Sequence, residues 1–220
     1  MGQAEQEDVL ILAIESSAVT ASVAILTDDV LTAEYTVNYK KTHSQTLLPM
    51  LKEIGDMINL DLNSLDAIAI AAGPGSFTGL RIGSATAKGL GLALDKPIIP
   101  VPTVDGLAYD LWGTDKIVCP IMDARRNQVY TGIYEFCDGK LQILENQMAV
   151  SVTEIAEKLN ALGREVIFLG DGVPVYRKTL ADEGSLSACP GTYEQTACIC
   201  GCSSWSTVLC TGTSRKCNGT

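Results

Sequence analysis

Twice along this chain an apolar run ends in an acid, turns, and is followed by two more extended runs, a segment of helical period and a further apolar run. The first pass starts at 9–14 and ends in Glu15; the second starts at 117–122 and ends in Asp123. In the first, the pattern predicts strands over 9–14, 21–26 and 30–39, joined by short turns as in an antiparallel meander. The period then changes. Leu47, Leu48, Leu51, Ile54 and Ile58 fall on one face of a helix over 44–59, which Met50 and Met57 widen and Thr42 or Ser44 can cap. A strand over 66–72, a helix over 78–94 and a short strand over 97–101 complete the pass. In the second pass, strands over 117–122, 129–136 and 141–150 precede a helix over 151–162, capped by Ser151 or Thr153. A strand over 166–169 then runs into Gly170-Asp171-Gly172. Hairpins recur by chance, but here the order of elements recurs with the turn. A duplicated β-β-β-α-β unit fits better, and it confines the chain to an α/β fold of two similar lobes.

The expected division is 1–102 for the first lobe, 103–183 for a second, truncated lobe, and 184–220 for a tail of different composition. Hydrophobic residues at 46% and charged residues at 19% are compatible with real cores in both lobes. A net charge of −10 repels phosphate backbones, so any contact with nucleic acid needs a basic partner. The start of the chain is polar and acidic, unlike a secretory signal. The apolar run at 9–14 is far short of the roughly 20 residues that a membrane-spanning helix requires. Only Cys119 and Cys137 precede residue 189, as suits a reducing compartment. A cytoplasmic protein with no membrane contact is the expectation.

The sharpest local signal is Gly73-Pro74-Gly75-Ser76-Phe77-Thr78-Gly79-Leu80-Arg81-Ile82-Gly83. A strand delivers the chain to a glycine turn, where Ser76 or Thr78 can cap a helix. Inside that helix small residues recur at every fourth position, Gly79, Gly83, Ala87 and Gly91, with Ala85, Gly89 and Ala93 in a neighbouring row. Each interior glycine costs roughly 1 kcal/mol relative to alanine. Close approach of another backbone offsets that cost. The backbone can belong to the same lobe or to a partner's helix, and pattern alone leaves both open. A glycine turn ahead of a helix is also an anion site by geometry. No Gly-Lys-Ser/Thr follows, however, and the nearest lysine, Lys88, lies deep in the helix. A P-loop kinase or motor ATPase is not expected.

Together with Ile11-Leu12-Ala13-Ile14-Glu15-Ser16-Ser17, His43-Ser44-Gln45 and Met122-Asp123-Ala124-Arg125-Arg126-Asn127-Gln128-Val129-Tyr130, this segment closely resembles the signature of the TsaB (YeaZ) family, over about residues 8 to 180. The resemblance implies two ribonuclease H-like lobes of the actin, sugar-kinase and heat-shock chaperone superfamily, the actin-like ATPase fold, with mixed sheets flanked by helices. It implies a non-catalytic accessory subunit that binds a catalytic paralogue, TsaD, for threonylcarbamoyl transfer to adenosine 37 of tRNA. TsaC supplies threonylcarbamoyl-AMP and TsaE is the associated ATPase; tRNA is met only through the complex. It also implies that two first-lobe helices bundle with two helices of TsaD, or with a second copy in a homodimer. The segments 44–59 and 78–94 carry more apolar surface than one core-facing stripe requires. The expected interface is Leu47, Met50, Leu51, Ile54 and Met57 on the first, and Gly79, Leu80, Gly83 and Ala87 on the second.

Little chemistry is visible in the chain itself. The resemblance implies that the catalytic paralogue holds a metal with two histidines and a carboxylate. This chain has one histidine, His43, so it cannot form that site. His43 opens a helix and reads as a cap-region or packing residue. Neither His-Glu-x-x-His nor Gly-x-Ser-x-Gly is present, and Ser16 and Ser17 have no evident histidine base. The resemblance places Glu15 and Asp123 where superfamily members hold a nucleotide's phosphates and metal. Weak ATP or ADP binding at Glu15, Ser16, Ser17, Asp123, Gly170, Asp171 and Gly172 is the corresponding expectation, although the first turn lacks the glycine that would let amides approach a phosphate. No cofactor or metal is required. The alternative is an independent small-molecule kinase or transferase, or a glycopeptidase, on the same fold, a choice that fold alone does not make.

The tail, 184–220, holds 17 Ser, Thr or Gly and six Cys, with no helix or strand period. Three readings compete. A zinc knuckle lacks paired Cys-x-x-Cys, and a disulfide staple conflicts with a reducing compartment. The abrupt change of composition favours translation in a wrong frame. The family's usual helical end, with its Pro-x-Tyr-x-Arg-like motif, is missing.

Overall fold

The structure, a computed structural model, describes residues 8–39 and 43–182. Three strands open the chain: β1 (Leu10–Glu15), β2 (Ala21–Thr27) and β3 (Val30–Val37). They form an antiparallel meander in which Leu10 faces Thr27 and Ala21 faces Val37. Helix α1 (His43–Ile58) then crosses to β4 (Ala67–Ala71), which joins the free side of β1 in parallel, Ile11 beside Ala67. A parallel join requires such a crossover. Helix α2 (Phe77–Leu94) leads to β5 (Ile98–Val101), giving the order β3-β2-β1-β4-β5.

A short helix, α3 (Thr103–Tyr109), links this sheet to the next. There β6 (Ile117–Asp123), β7 (Gln128–Cys137) and β8 (Lys140–Ser151) repeat the meander, and α4 (Val152–Leu162) crosses to β9 (Val166–Leu169). The order β8-β7-β6-β9 is that of β3-β2-β1-β4, so the duplication is present in the topology. Helix α5 (Val173–Asp182) follows β9 as α2 follows β4. Among the described residues β5 has no counterpart.

At β1, β2 and β4 both faces of the first sheet are buried, which is why these strands read as continuous apolar runs rather than alternating ones. One face packs Leu12, Ile14, Ile25 and Ile68 under Leu47, Met50, Leu51 and Ile54 of α1 and Ala87 of α2. The other is lined with small side chains, Ala13, Ala24, Ala69 and Ala71. In the second sheet, Ile117, Ile121 and Ile133 lie under Ile155 and Leu159 of α4 and Tyr176 and Leu180 of α5. Val104, Leu107 and Ala108 of α3 cover Val118, Met122 and Tyr134 on its opposite face.

Boundaries differ from the sequence reading by a residue or two, and Ser44 falls inside α1 rather than capping it. Two helices went unanticipated. Helix α3, at seven residues, is too short for a periodic signal. Helix α5 buries only Val173, Tyr176 and Leu180, with Pro174 in its first turn. Thr42 and the tail with its three readings lie outside the described residues. Among those described, no helix is long and apolar enough to cross a membrane.

The expected partner interface needs correction. Leu47, Met50, Leu51 and Ile54 are buried in their own lobe, and Gly79, Gly83, Ala87 and Gly91 form the buried stripe of α2. A Cβ at Gly79 would lie 2.0 Å from the Ser16 carbonyl oxygen, and one at Gly83 would lie 2.2 Å from Ser16 Oγ. These glycines let α2 settle onto the end of β1. The neighbour that offsets their helix cost is therefore the chain's own sheet. Of the nine residues, Leu80 is half-buried and only Met57 is fully outside.

Candidate functional site

The two acids of the repeat end equivalent strands and organise equivalent turns. Glu15 Oε1 accepts the Ser17 amide at 2.5 Å, and Asp123 Oδ1 accepts the Arg125 amide at 2.8 Å. Each carboxylate thus fixes the chain two residues on, as acidic turn residues do. Asp123 also accepts the Tyr176 hydroxyl at 2.9 Å, and its amide donates to Asp171 Oδ1 at 3.2 Å. Beyond it, Arg125, Arg126 and Asn127 are all left-handed, with φ of 69°, 54° and 59°. Such a run carries strain at the tip of the β6–β7 hairpin. The tip is closed by bonds from the Ala124 amide to the Gln128 carbonyl and from the Gln128 amide to the Arg125 carbonyl.

A cleft of about 600 Å³ opens between these turns. The first lobe contributes Ser17, Ala18, Val19, His43 and the start of α2, residues 75–79; the second contributes residues 122–125, Tyr130 and Asp171. The first-lobe wall is tied shut. The Ser76 amide donates to the Ser17 carbonyl at 2.6 Å, Ser16 Oγ donates to the Gly79 carbonyl at 3.0 Å, and His43 Nε2 donates to the Ala18 carbonyl at 2.9 Å.

The electrostatics are acidic. Burial pushes the Glu15 carboxyl above its ordinary range, against the pull of its Ser17 and Ser16 hydrogen bonds. Asp171 is raised by burial and by Asp123 beside it. Behind the cleft, at the end of α3, burial pushes Asp110 up to about 8, with repulsion from Glu15 and Glu34 adding to it.

Of the residues expected to meet a nucleotide, Ser17, Asp123 and Asp171 line the cleft. Glu15, Ser16, Gly170 and Gly172 are not part of its lining. Ser16 is sealed under α2. A Cβ at Gly170 or Gly172 would lie within 2.8 Å of the Ile121 carbonyl oxygen, so that turn packs on β6. A phosphate would find the Ser76 amide already used, two acids and, among the lining residues, Arg125 as the single arginine or lysine. These residues fit a phosphate poorly. Among the described residues, no three His, Cys, Asp or Glu side chains converge as a metal requires.

The outer face of α1 and α2 is of another character. Leu48, Met57, Phe77 and Leu92 are 52%, 83%, 68% and 87% exposed. Ala85, Gly89 and Ala93, the second small-residue row of α2, are exposed with them, and a Cβ at Gly89 would meet nothing within 4 Å. The sequence reading placed the interface on the row that the structure buries. Arg81 and Lys88 could have corrected it, because two charges fix which side of α2 meets water, and Ala85 and Leu92 lie on that side.

The family model described as TsaD, tRNA N6-adenosine threonylcarbamoyltransferase, matches residues 31–215, running past the point near 180 where the motif resemblance ends. The tRNA threonylcarbamoyladenosine biosynthesis protein TsaB of Bacillus subtilis is 37% identical over 172 residues, 78% of this chain and 75% of its own. The Escherichia coli protein of the same name is 34% identical over 166 residues, 74% of this chain and 71% of its own. Among solved structures, YeaZ from Pseudomonas aeruginosa is similar at 28% identity and a TM-score of 0.69, covering 77% of this chain and 79% of its own. An uncharacterized Pseudomonas aeruginosa protein, described as similar to peptidase YeaZ, superposes at a TM-score of 0.75 and 25% identity over 96% of this chain and 94% of its own. With motifs, duplicated topology and relatives in agreement, the chain belongs to the TsaB (YeaZ) family, on the actin-like ATPase fold.

Proposed function

We propose that this chain works in tRNA threonylcarbamoyladenosine biosynthesis as a non-catalytic subunit that docks the catalytic paralogue TsaD on the outer face of α1 and α2. One observation carries the reading: an exposed helical glycine, Gly89, on the same side of α2 as exposed Phe77, Ala85 and Leu92. A helix-interior glycine costs roughly 1 kcal/mol relative to alanine. Among the described residues nothing uses the space above it. A partner helix crossing there would, because helices approach most closely over small residues.

The cleft supports the non-catalytic half of the reading. Its one imidazole is held by a carbonyl, and the Ser16 hydroxyl is buried in a bond to α2. TsaD then supplies the chemistry, TsaE the ATPase, and tRNA is reached only through the complex, as suits a chain of net charge −10. The setting is cytoplasmic, no cofactor is needed, and ATP or ADP binds weakly if at all. Without TsaD, a second copy is the competing occupant of the same face.

Two substitutions on exposed positions test the dock, Gly89→Leu and Leu92→Asp. Both proteins should fold, yet lose co-purification with TsaD and fail to restore threonylcarbamoyladenosine in cells lacking the wild-type copy. Wild-type yield and full tRNA modification in both would reject it. Separately, the pure chain should show no turnover with ATP, with threonylcarbamoyl-AMP plus tRNA, or with a glycoprotein. Robust turnover without TsaD would replace this reading by that of an independent enzyme.

A further inference from the structure

Within the outer face, Phe77, Arg81, Ala85, Lys88 and Leu92 are all exposed and follow one another at spacings of four, four, three and four residues. That spacing keeps them on a single stripe along α2, the line on which a neighbouring helix packs. The stripe is not purely apolar. It alternates apolar side chains with two cations, and α2 contains no acid from end to end, in a chain whose net charge is −10.

Neither cation is neutralised by another described residue. The ion pairs among the described residues are Lys52–Asp56, Lys116–Glu165, Lys158–Glu145 and Arg164–Glu135, and none uses Arg81 or Lys88. Arg81 is nevertheless held on the stripe, its guanidinium 3.9 Å from the centre of the Phe77 ring. A partner helix laid along this line must desolvate both charges, and an apolar helix would leave them buried without counter-ions.

We propose that this stripe selects a partner helix bearing two carboxylates two turns apart, and that the same two cations disfavour pairing with a second copy of this chain. The proposal rests on the reading of the α1–α2 face as a docking surface. Arg81 and Lys88 are two helical turns apart, about 10 Å along the axis, which sets the spacing of the acids. In a two-fold pairing whose axis crosses this stripe, Arg81 of one copy lies against Lys88 of the other, so cation faces cation. Of the exposed acids of α1, Asp56 is already paired with Lys52, and Glu53 lies beside the same lysine.

The double variant Arg81→Gln with Lys88→Gln tests the idea on two surface positions. Association with TsaD is followed at about 0.05 M and about 0.5 M salt, where screening is weak and strong. Wild-type association should slow about ten-fold or more between the two, as electrostatic steering does. The double variant should be slow at both, and in sedimentation should self-associate more tightly than wild type. A double variant that binds TsaD at the wild-type rate with the wild-type salt dependence, or self-associates no better than wild type, overturns the proposal while the dock stands. A wild-type chain that binds no TsaD at either salt rejects the dock itself, and this proposal with it.

Discussion

Asp110 closes α3 where the chain passes from one sheet to the other. Burial, with Glu15 and Glu34 nearby, lifts its carboxyl from an ordinary 3.8 to about 8. In that window the folded chain keeps a proton that the unfolded chain has released. Stability therefore falls as pH rises from the unfolded value, and the loss is complete above the folded one. Each unit of raised pKa is worth roughly 1.4 kcal/mol. Asp110→Asn cannot ionise. It should match wild type in urea unfolding at about pH 3 and exceed it by a few kcal/mol at about pH 9. An equal decline with pH in both proteins would show that Asp110 is not responsible. Single residues were unevenly legible. Glu15 and Asp123 stood out as strand-ending acids, while the turn bond that each makes is visible only in the structure. Asp110 gave no signal, because its environment is assembled from β1, β3 and α3, which are far apart in sequence.

Elements make the difference between a glycine that packs and one that waits. Gly79→Ala and Gly89→Ala are the same chemical change in the same helix. At Gly79 the new methyl would meet the Ser16 carbonyl at 2.0 Å, a backbone atom that cannot step aside. A loss of roughly 1–3 kcal/mol is expected, as in overpacked cores. At Gly89 it meets open space, so helix propensity decides, and stability should rise by roughly 1 kcal/mol. Thermal melts of the two proteins should move in opposite directions; a shift in the same direction would contradict the assignment of the two faces. The same faces decide what a Met50→Asp substitution would report. Met50 is buried, so a charge there would disrupt the first lobe rather than test docking. Helix periods were readable in the sequence, since a 3.6-residue repeat survives any tertiary context. Phase was not, because it depends on which row meets the sheet, and two rows of small residues look alike in one dimension.

At the scale of the molecule the two halves are unequal. The first sheet has five strands and is covered on both faces; the second has four, and its edge strand β8 is exposed along most of its length. Backbone bonds at such an edge open more readily. Hydrogen exchange should therefore be fastest in β8 and slowest in β1, β2 and β4; faster exchange in β1 than in β8 would reverse the ranking. The duplication was legible because acid, turn and strand order recur together. The pattern after 169 offers no apolar run of strand length, which is why a truncated second lobe was expected, and among the described residues β5 has no counterpart. The order of strands also sets a timetable for synthesis. β1 emerges first yet lies in the middle of its sheet, and Ile11 must wait for Ala67 before its second edge is paired. Until α1 and β4 have left the ribosome, the β1–β3 meander shows apolar side chains on both faces. That interval, rather than anything in the finished fold, is when a nascent chain of this kind most needs a chaperone.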